Sequence, residues 1–316
     1  MAKFLEELKK SKAFYSLLGL VGLIIISSII APNFRTMNNM ITIFRQASVL
    51  LILSAGLTAV LLTGGMDLSV GATAGLIGCI CAQFIKGGVP IPVAFLIGIG
   101  VGVVIGLVNG ALAGILPSFI ATYATNWVMS GLAIIVMNGA VIYNLPENFT
   151  TLGVGYIGPI PNLVIIAAII IIILYILLQK TTYGRQVYAY GSNPEAARYS
   201  GMPVKKIMVS SFIICSVCAG IAGMVITARL NAADAAMGDS YGLQTVAAVV
   251  IGGTSMLGGQ GGVGGTVIGA LILTIIVNVM NLKGVSSFAQ PMVVGIVIIV
   301  MVLFDINTKR KQEKAA

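Results

Sequence analysis

The sequence predicts an all-α integral membrane protein, a polytopic bundle of about ten transmembrane helices. Hydrophobic residues make up 58% of the chain and charged residues only 9%, against roughly 45–50% and about 25% in soluble domains. The apolar residues come in long unbroken blocks, which lack the alternation of β-barrel strands. Because a helix satisfies its own backbone hydrogen bonds in lipid, each block is interpreted as a helical membrane span.

The positions of the spans follow from a window of about 20 apolar residues per crossing. They are predicted near residues 14–31, 46–63, 67–86, 91–115, 118–142, 161–180, 207–228, 243–258, 263–282 and 289–305. The first block follows a basic start, as in a signal peptide, but it is long enough to be a retained helix. Segment 35–45 carries two arginines and is predicted to lie at the membrane interface. The eighth block is short and glycine-rich, which leaves open whether it crosses fully.

The distribution of charge predicts the topology of a single transmembrane domain, residues 1–316. With an even number of spans both termini share one side, and thirteen of the 18 lysine and arginine residues fall there. By the positive-inside rule both termini are predicted to be cytoplasmic. The longer loops are then an external loop, 143–161, and a cytoplasmic loop, 181–206. The net charge of +9 is thereby attributed to topology, and no nucleic acid partner is expected.

Glycine recurs at every fourth position of the fourth predicted span, on one helical face. The five positions are Gly98, Gly102, Gly106, Gly110 and Gly114. The structural interpretation is close packing against another helix, which residues without side chains permit. The functional interpretation is that closely packed helices rock during a transport cycle.

Several polar residues within or between spans are candidates for a pathway or gate. Asp67 would cost roughly 2.5–3.5 kcal/mol if it faced lipid at mid-membrane, so it must be capped, paired or hydrated. It is interpreted either as the N-cap of the third span or as part of a cytoplasmic gate. Ser69 and Asn109 are further candidates, as are Thr254 and Ser255 in the glycine-rich run at 252–264.

No motif in the chain indicates catalysis or a bound cofactor. The run at 252–264 contains a formal G-x-G-x-x-G but has no acidic residue about 20 positions later, and it is interpreted as a helix interruption facing a cavity. There is no G-x-x-x-x-G-K-[ST] motif and no histidine. The C-x-x-C pair Cys215 and Cys218 could bind a metal, but small core residues are the preferred interpretation. The chain is therefore expected to be neither an enzyme nor a metalloprotein.

The cytoplasmic loop is the most polar part of the chain. It is predicted to form two short helices around Gly191 to Pro194, with Ser192 or Asn193 as N-cap and Pro194 in the first helical position. A structured cytoplasmic loop on a chain without a nucleotide-binding motif is a candidate docking site for an energising partner.

Three segments, 64–72, 191–201 and 247–271, resemble in order the ribose-type sugar permeases of bacterial ABC importers, and the likeness covers nearly the whole chain. The resemblance implies the fold of an ABC importer permease, whose cytoplasmic loop docks on the ATPase through an E-A-A-x-x-x-G motif. It assigns this coupling role to Gly191, Asn193, Glu195, Ala196, Ala197 and Gly201. Here Gly201 is followed by Met202-Pro203-Val204 and not by the usual I-x-L-P ending.

The same resemblance implies the partners. They are an ABC ATPase subunit that holds ATP-Mg, an extracytoplasmic sugar-binding protein and a second permease copy, identical or related, in the bacterial cytoplasmic (inner) membrane. The expected cargo is a monosaccharide, with a nucleoside, a quorum-sensing sugar derivative or a branched amino acid as alternatives. A secondary transporter or channel would normally place coupling carboxylates or histidines within its spans, and only Asp67 comes close.

Overall fold

The structure, a computed structural model, describes residues 12–286, 288–297 and 299–300. It is a helical bundle with four two-residue strands. The helices are α1 (Lys12–Ile30), α2 (Met37–Leu62), α3 (Val70–Lys86), α4 (Ile91–Ala113), α5 (Ser118–Val136), α6 (Glu147–Val154), α7 (Asn162–Lys180), α8 (Thr182–Ser192), α9 (Pro194–Tyr199), α10 (Val204–Leu230), α11 (Tyr241–Ile251) and α12 (Val263–Leu282), with a 3-10 helix at Pro32–Arg35.

Helices α2 and α10 form the centre of the bundle. In each, 67% of the most apolar stretch is buried inside the chain, and α10 packs most extensively against α4, α2 and α3. The corresponding stretches of α4, α5 and α7 are only 22% to 28% buried. They expose large apolar side chains such as Leu96 and Ile135, a surface that suits lipid acyl chains.

Six helices among the described residues are long and apolar enough to cross a membrane, namely α2, α4, α5, α7, α10 and α12. Shorter apolar helices lie at Ser16–Ile30, Val70–Lys86 and Tyr241–Ile251. The predicted count of about ten crossings is therefore not confirmed. Residues 290–297 are helical, but 301–305 of the last predicted span lie outside the described residues, as do both termini.

The segment 35–45, predicted to be an interfacial stretch that leads into the second span, includes the first turns of α2, residues 37–45, and its location at the membrane interface stays a prediction. The charge of Arg45 does not interrupt this helix. Its guanidinium donates to the Val154 carbonyl at 2.9 Å and lies 4.7 Å from the centre of the Tyr156 ring. A charge that finds a carbonyl and an aromatic face is stabilised beside an apolar helix.

Helices α3 and α11 are shorter than the spans predicted for them. The eleven residues of α11 rise about 16 Å, roughly half of a hydrocarbon core of about 30 Å. The helix ends at Ile251, and Gly253 adopts φ +88°, which favours glycine. The eighth predicted span is thus helical only in its first part, and the non-helical residues 252–262, here called the glycine segment, complete it.

The predicted loop 143–161 folds into small elements at one end of the bundle. Strand β1 (Ile142–Tyr143) pairs antiparallel with β4 (Ala232–Ala233), and β2 (Tyr156–Ile157) pairs with β3 (Ile160–Pro161). Helix α6 lies between β1 and β2 in the sequence. We call the end of the bundle that carries these elements the α6 end. The opposite end, which carries α8 and α9, is the α8 end.

The glycine face of α4 packs against α10. A Cβ atom at Gly102 would lie 3.0 Å from the Ser216 carbonyl oxygen, and one at Gly106 would collide with the backbone of Ile213. The face consists of Gly98, Gly102, Gly106, Gly110 and Gly114, and at each of them a Cβ atom would lie within 3.1 Å of a neighbouring atom. The two helices can therefore approach only because side chains are absent.

Replacing Gly106 by Val is expected to lower the free energy of unfolding by about 1–3 kcal/mol, the usual cost of overpacking a close contact. The measurement is the apparent melting temperature of the purified protein in detergent. Gly100→Val is the matched control, because it makes the same change in the same helix where a Cβ atom meets nothing within 4 Å. Equal melting temperatures for the two variants would contradict the packing role.

Candidate functional site

Helices α8 and α9 form a hairpin whose ends are capped by side chains. Thr181 accepts a hydrogen bond from the Gly184 N–H at 3.3 Å, and Asn193 accepts one from the Ala196 N–H at 2.9 Å. Pro194 occupies the first turn of α9, as the sequence predicts. Gly201 follows α9 with φ +76°, a conformation that glycine adopts without strain.

The six predicted coupling residues divide into an exposed and a buried set. Asn193, Glu195, Ala196 and Gly201 are exposed, whereas Gly191 and Ala197 are buried. Ala197 is only 1% exposed, so it packs against its own chain. The surface that α9 offers to another molecule is thus centred on Glu195 and Ala196.

Gly191 joins α8 to the C-terminal end of α2. A Cβ atom there would collide with the Leu62 carbonyl and lie 2.6 Å from the Gly259 nitrogen. Because the Leu62 carbonyl also accepts a hydrogen bond from the Gly259 N–H at 2.9 Å, three parts of the chain meet there. Any side chain at position 191 would separate them.

Tyr188 makes the second contact between α8 and the glycine segment. Its hydroxyl accepts from the Gln179 amide at 2.6 Å and donates to the Gly261 carbonyl at 2.8 Å. Burial raises the pKa of Tyr188, and the hydrogen bond from Gln179 offsets part of that shift. The phenol therefore stays protonated and remains the donor. This residue was not predicted, because it is one of four tyrosines in the loop 181–206 and no local pattern distinguishes it.

Thr254 and Ser255 hold the glycine segment in a compact turn. The Thr254 hydroxyl accepts from the Gly262 N–H at 3.2 Å, and the Ser255 hydroxyl accepts from the Leu257 N–H at 3.2 Å. The Ser255 N–H donates to the Gln260 carbonyl at 2.9 Å. Both hydroxyls thus satisfy backbone groups that a helix would otherwise pair.

Residues 64–69, here called the Asp67 segment, run without helical structure between α2 and α3. Two hydroxyls on one face of α5 satisfy their backbone. The Ser118 hydroxyl accepts from the Met66 N–H at 3.0 Å, and the Thr122 hydroxyl accepts from the Leu68 N–H at 3.1 Å. Neither residue was predicted, although two hydroxyl residues four apart in an apolar span were a usable signal.

Asp67, Ser69 and Asn109 form a buried hydrogen-bonded chain from the Asp67 segment to α4. The Asn109 amide donates to the Ser69 hydroxyl at 2.8 Å, and the Ser69 hydroxyl and N–H donate to one Asp67 carboxylate oxygen at 2.6 and 2.8 Å. Ser69, and not Asp67, occupies the N-cap position of α3. Asp67 therefore accepts hydrogen bonds from the residue that precedes the helix, and its role as a gate stays a prediction.

A bundle of lipid-facing helices, interrupted by non-helical segments and ending in an exposed polar hairpin, defines the class of a polytopic membrane permease. The comparison with known families agrees. Residues 39–304 match the family described as branched-chain amino acid transport system / permease component. The chain belongs to this family.

Individual relatives cover nearly the whole chain. The ribose import permease of Bacillus subtilis strain 168 is 42% identical over 292 residues, 91% of each chain. The ribose import permease of Escherichia coli K12 is 39% identical over 296 residues, 92% of each chain. The D-allose transport system permease of the same strain is 37% identical over 284 residues, 89% of this chain and 87% of the relative. The predicted resemblance to ribose-type permeases is thus confirmed, and no solved structure matches the chain.

Replacing Thr122 by Val is expected to lower the free energy of unfolding by about 1–3 kcal/mol, because the partly buried Leu68 N–H loses its acceptor. The apparent melting temperature in detergent reports the change. Thr125→Val is the control, since the Thr125 hydroxyl bonds only to the Thr122 carbonyl within α5. A loss as large for Thr125→Val as for Thr122→Val would show that α5 hydroxyls do not support the Asp67 segment.

Proposed function

We propose that this chain is the transmembrane permease subunit of an ATP-binding-cassette importer for a monosaccharide. An extracytoplasmic binding protein delivers the sugar, and separate ATPase subunits drive transport. The observation that carries the proposal is the identity of 37% to 42% with ribose and D-allose permeases over at least 87% of each chain.

The energy input enters through α9. Glu195, Ala196 and Arg198 are exposed, and Tyr199 is 89% exposed. A short helix with a charged, exposed surface at the end of an apolar bundle presents an interface for a water-soluble partner. The small side chain of Ala196 lets a cleft on an ATPase subunit approach the backbone of α9 closely.

Displacement of α8 would reach the middle of the bundle through two contacts. Gly191 lies against the Leu62 carbonyl of α2, and Gly258 of the glycine segment lies against the backbone of Gly64. Gly64 is the first residue of the Asp67 segment, so the two non-helical segments contact each other there. A rigid-body movement of α8 on ATP-driven closure of the partner would therefore shift α2, the glycine segment and the Asp67 segment together.

The assembly that this role requires consists of two permease copies, identical or related, with the sugar pathway between them. ATP-Mg is held by the ATPase partner and not by this chain. The α8 end then faces the cytoplasm, with both termini on that side, and the α6 end faces the binding protein. The membrane is the bacterial cytoplasmic (inner) membrane.

A branched-chain amino acid is the second candidate cargo, because the family description names that class. The named relatives favour a sugar, and the two cargoes differ in charge. An amino acid carries an ammonium and a carboxylate, and a monosaccharide is neutral.

Proteoliposomes that contain this chain with its cognate ATPase and binding protein are expected to accumulate radiolabelled ribose when ATP is supplied. Omission of ATP is expected to abolish accumulation. Leucine, tested at the same concentration, is the matched alternative. ATP-dependent uptake of leucine without uptake of ribose or allose would overturn the sugar assignment, and ribose uptake independent of the ATPase would overturn the importer class.

Glu195→Lys is expected to reduce co-purification of the ATPase subunit about tenfold, since it reverses a charge at the proposed interface. The substitution removes no hydrogen bond or ion pair from the folded chain, because the Glu195 side chain makes none to the part of the chain that the structure describes. Glu147→Lys is the matched control, with the same change at an exposed glutamate in the first turn of α6 at the opposite end. Equal ATPase recovery for both variants would exclude α9 as the docking site.

A further inference from the structure

A cavity of about 290 Å³ lies in the half of the bundle nearer the α6 end. It is partly open and is lined by residues of α2, the end of α10, α11, α12 and helical residues 290–297, and by Ser240 just before α11. Arg229, in the last turn of α10, shows where the cavity lies along the bundle, because its backbone lies against Gly153 of α6. The cavity is therefore separate from the contacts that α8 makes at the other end.

Five polar side chains that line the cavity make no hydrogen bond within the described chain, whereas Thr274 and Gln290 bond to Ala270 and Asn281. The side chains of Arg229, Ser240, Tyr241 and Gln244 line it and make no hydrogen bond to another described residue. The Gln46 side-chain oxygen is buried and also has no partner among those residues. A buried acceptor without a partner costs about 1–3 kcal/mol, and this applies to the Gln46 oxygen. Ser240 is exposed and Arg229, Tyr241 and Gln244 are half-buried, so their polar groups are accessible to a polar ligand.

The chemistry of the lining favours a neutral polyhydroxylated molecule. Amides and hydroxyls at Gln46, Ser240, Tyr241 and Gln244 can both donate and accept, as the hydroxyl rim of a sugar requires. Apolar side chains complete the wall, among them Leu50, Leu273, Val277 and Val294, and can cover the C–H faces of a sugar ring. The volume is close to the lower limit of small-molecule sites, about 300 Å³, which suits a single monosaccharide.

The same lining disfavours an amino acid. Neither aspartate nor glutamate is among the described residues that line the cavity, so these residues offer an α-ammonium group no counter-charge. Burying an unpaired charge is much more costly than burying a hydrogen-bonded hydroxyl. Arg229 could pair with a carboxylate but leaves the ammonium unsatisfied.

We propose that this cavity is a monosaccharide-binding site on the permease itself, occupied when the sugar has left its binding protein. The inference rests on the proposed function and adds that the permease contacts the sugar through Gln46, Arg229, Ser240, Tyr241 and Gln244. Binding there must be weak enough for release in each cycle, so occupancy is expected at millimolar sugar.

The test is protection of a cysteine at Ser240. Ser240→Cys, in the complete transporter in lipid nanodiscs, is labelled with a small methanethiosulfonate reagent with and without millimolar ribose. The four native cysteines are buried, so the wild-type protein gives the background. Ribose is expected to slow labelling at position 240 several-fold. Ser286→Cys is the control, since Ser286 is exposed after α12 and is not among the lining residues. Its labelling rate is expected to be the same with and without ribose.

Three outcomes of the sugar and leucine measurements would overturn the proposal. They are no protection by ribose, equal protection of both cysteines, and protection by leucine in place of ribose. A labelling rate that changes only with the phospholipid of the nanodisc would assign the cavity to a lipid headgroup and would also overturn it. If wild-type proteoliposomes still import ribose in any of these cases, the proposed function stands and only the site is wrong.

A second variant tests the contact without relying on the first alone. Gln244→Leu, combined with Ser240→Cys, keeps the approximate size of the side chain but removes its donor and acceptor. The ribose concentration for half-protection is expected to rise several-fold, with the labelling rate in the absence of ribose unchanged. An unchanged half-protection concentration would contradict a contact between Gln244 and the sugar.

Discussion

Peptide groups that lie inside the apolar bundle but outside a helix must find hydrogen-bond partners, and the arrangement of the chain depends on this constraint. Helices α3 and α11 are short, so a non-helical segment accompanies each of them into the bundle. The N–H groups of Met66 and Leu68 are accepted by Ser118 and Thr122, and a glycine N–H is accepted by the Leu62 carbonyl. These few acceptors fix the positions of both segments, and the segments in turn constrain the helices packed around them.

Close backbone contact is the second consequence of the same arrangement. Where one non-helical segment meets another, side chains would hold the peptide groups apart, and the contacts of Gly64, Gly191 and Gly258 show that only glycine fits. Tyr188 adds a hydrogen bond from α8 to the glycine segment. Helix α8 is therefore held against α2 and the glycine segment, whereas α9 is left as the exposed element of the hairpin. This division separates the surface for a partner from the part that would transmit its movement.

Sequence patterns predicted the limits of three long apolar helices. The predicted spans 91–115, 161–180 and 263–282 agree within two residues with α4, α7 and α12, because an apolar block long enough to cross begins and ends where polar residues return. Prediction failed where a polar residue has a partner far along the chain. Arg45 set the start of the second predicted span at residue 46, but it bonds to Val154, 109 residues away, and α2 already begins at Met37. No local pattern contains that contact.

The two ends of the bundle use their polar groups differently, and this explains why one site was predictable and the other was not. At the α8 end, Asn193 and Tyr188 satisfy neighbouring backbone groups, and the motif that carries them is continuous in sequence. The cavity near the α6 end draws Gln46, Arg229 and Gln244 from separate elements, and their side chains form no hydrogen bond within the described residues. Groups that bond internally hold the α8 end together, as the proposed transmission of a movement requires. Groups left without internal partners can bind a cargo and release it, because no intramolecular hydrogen bond has to break first.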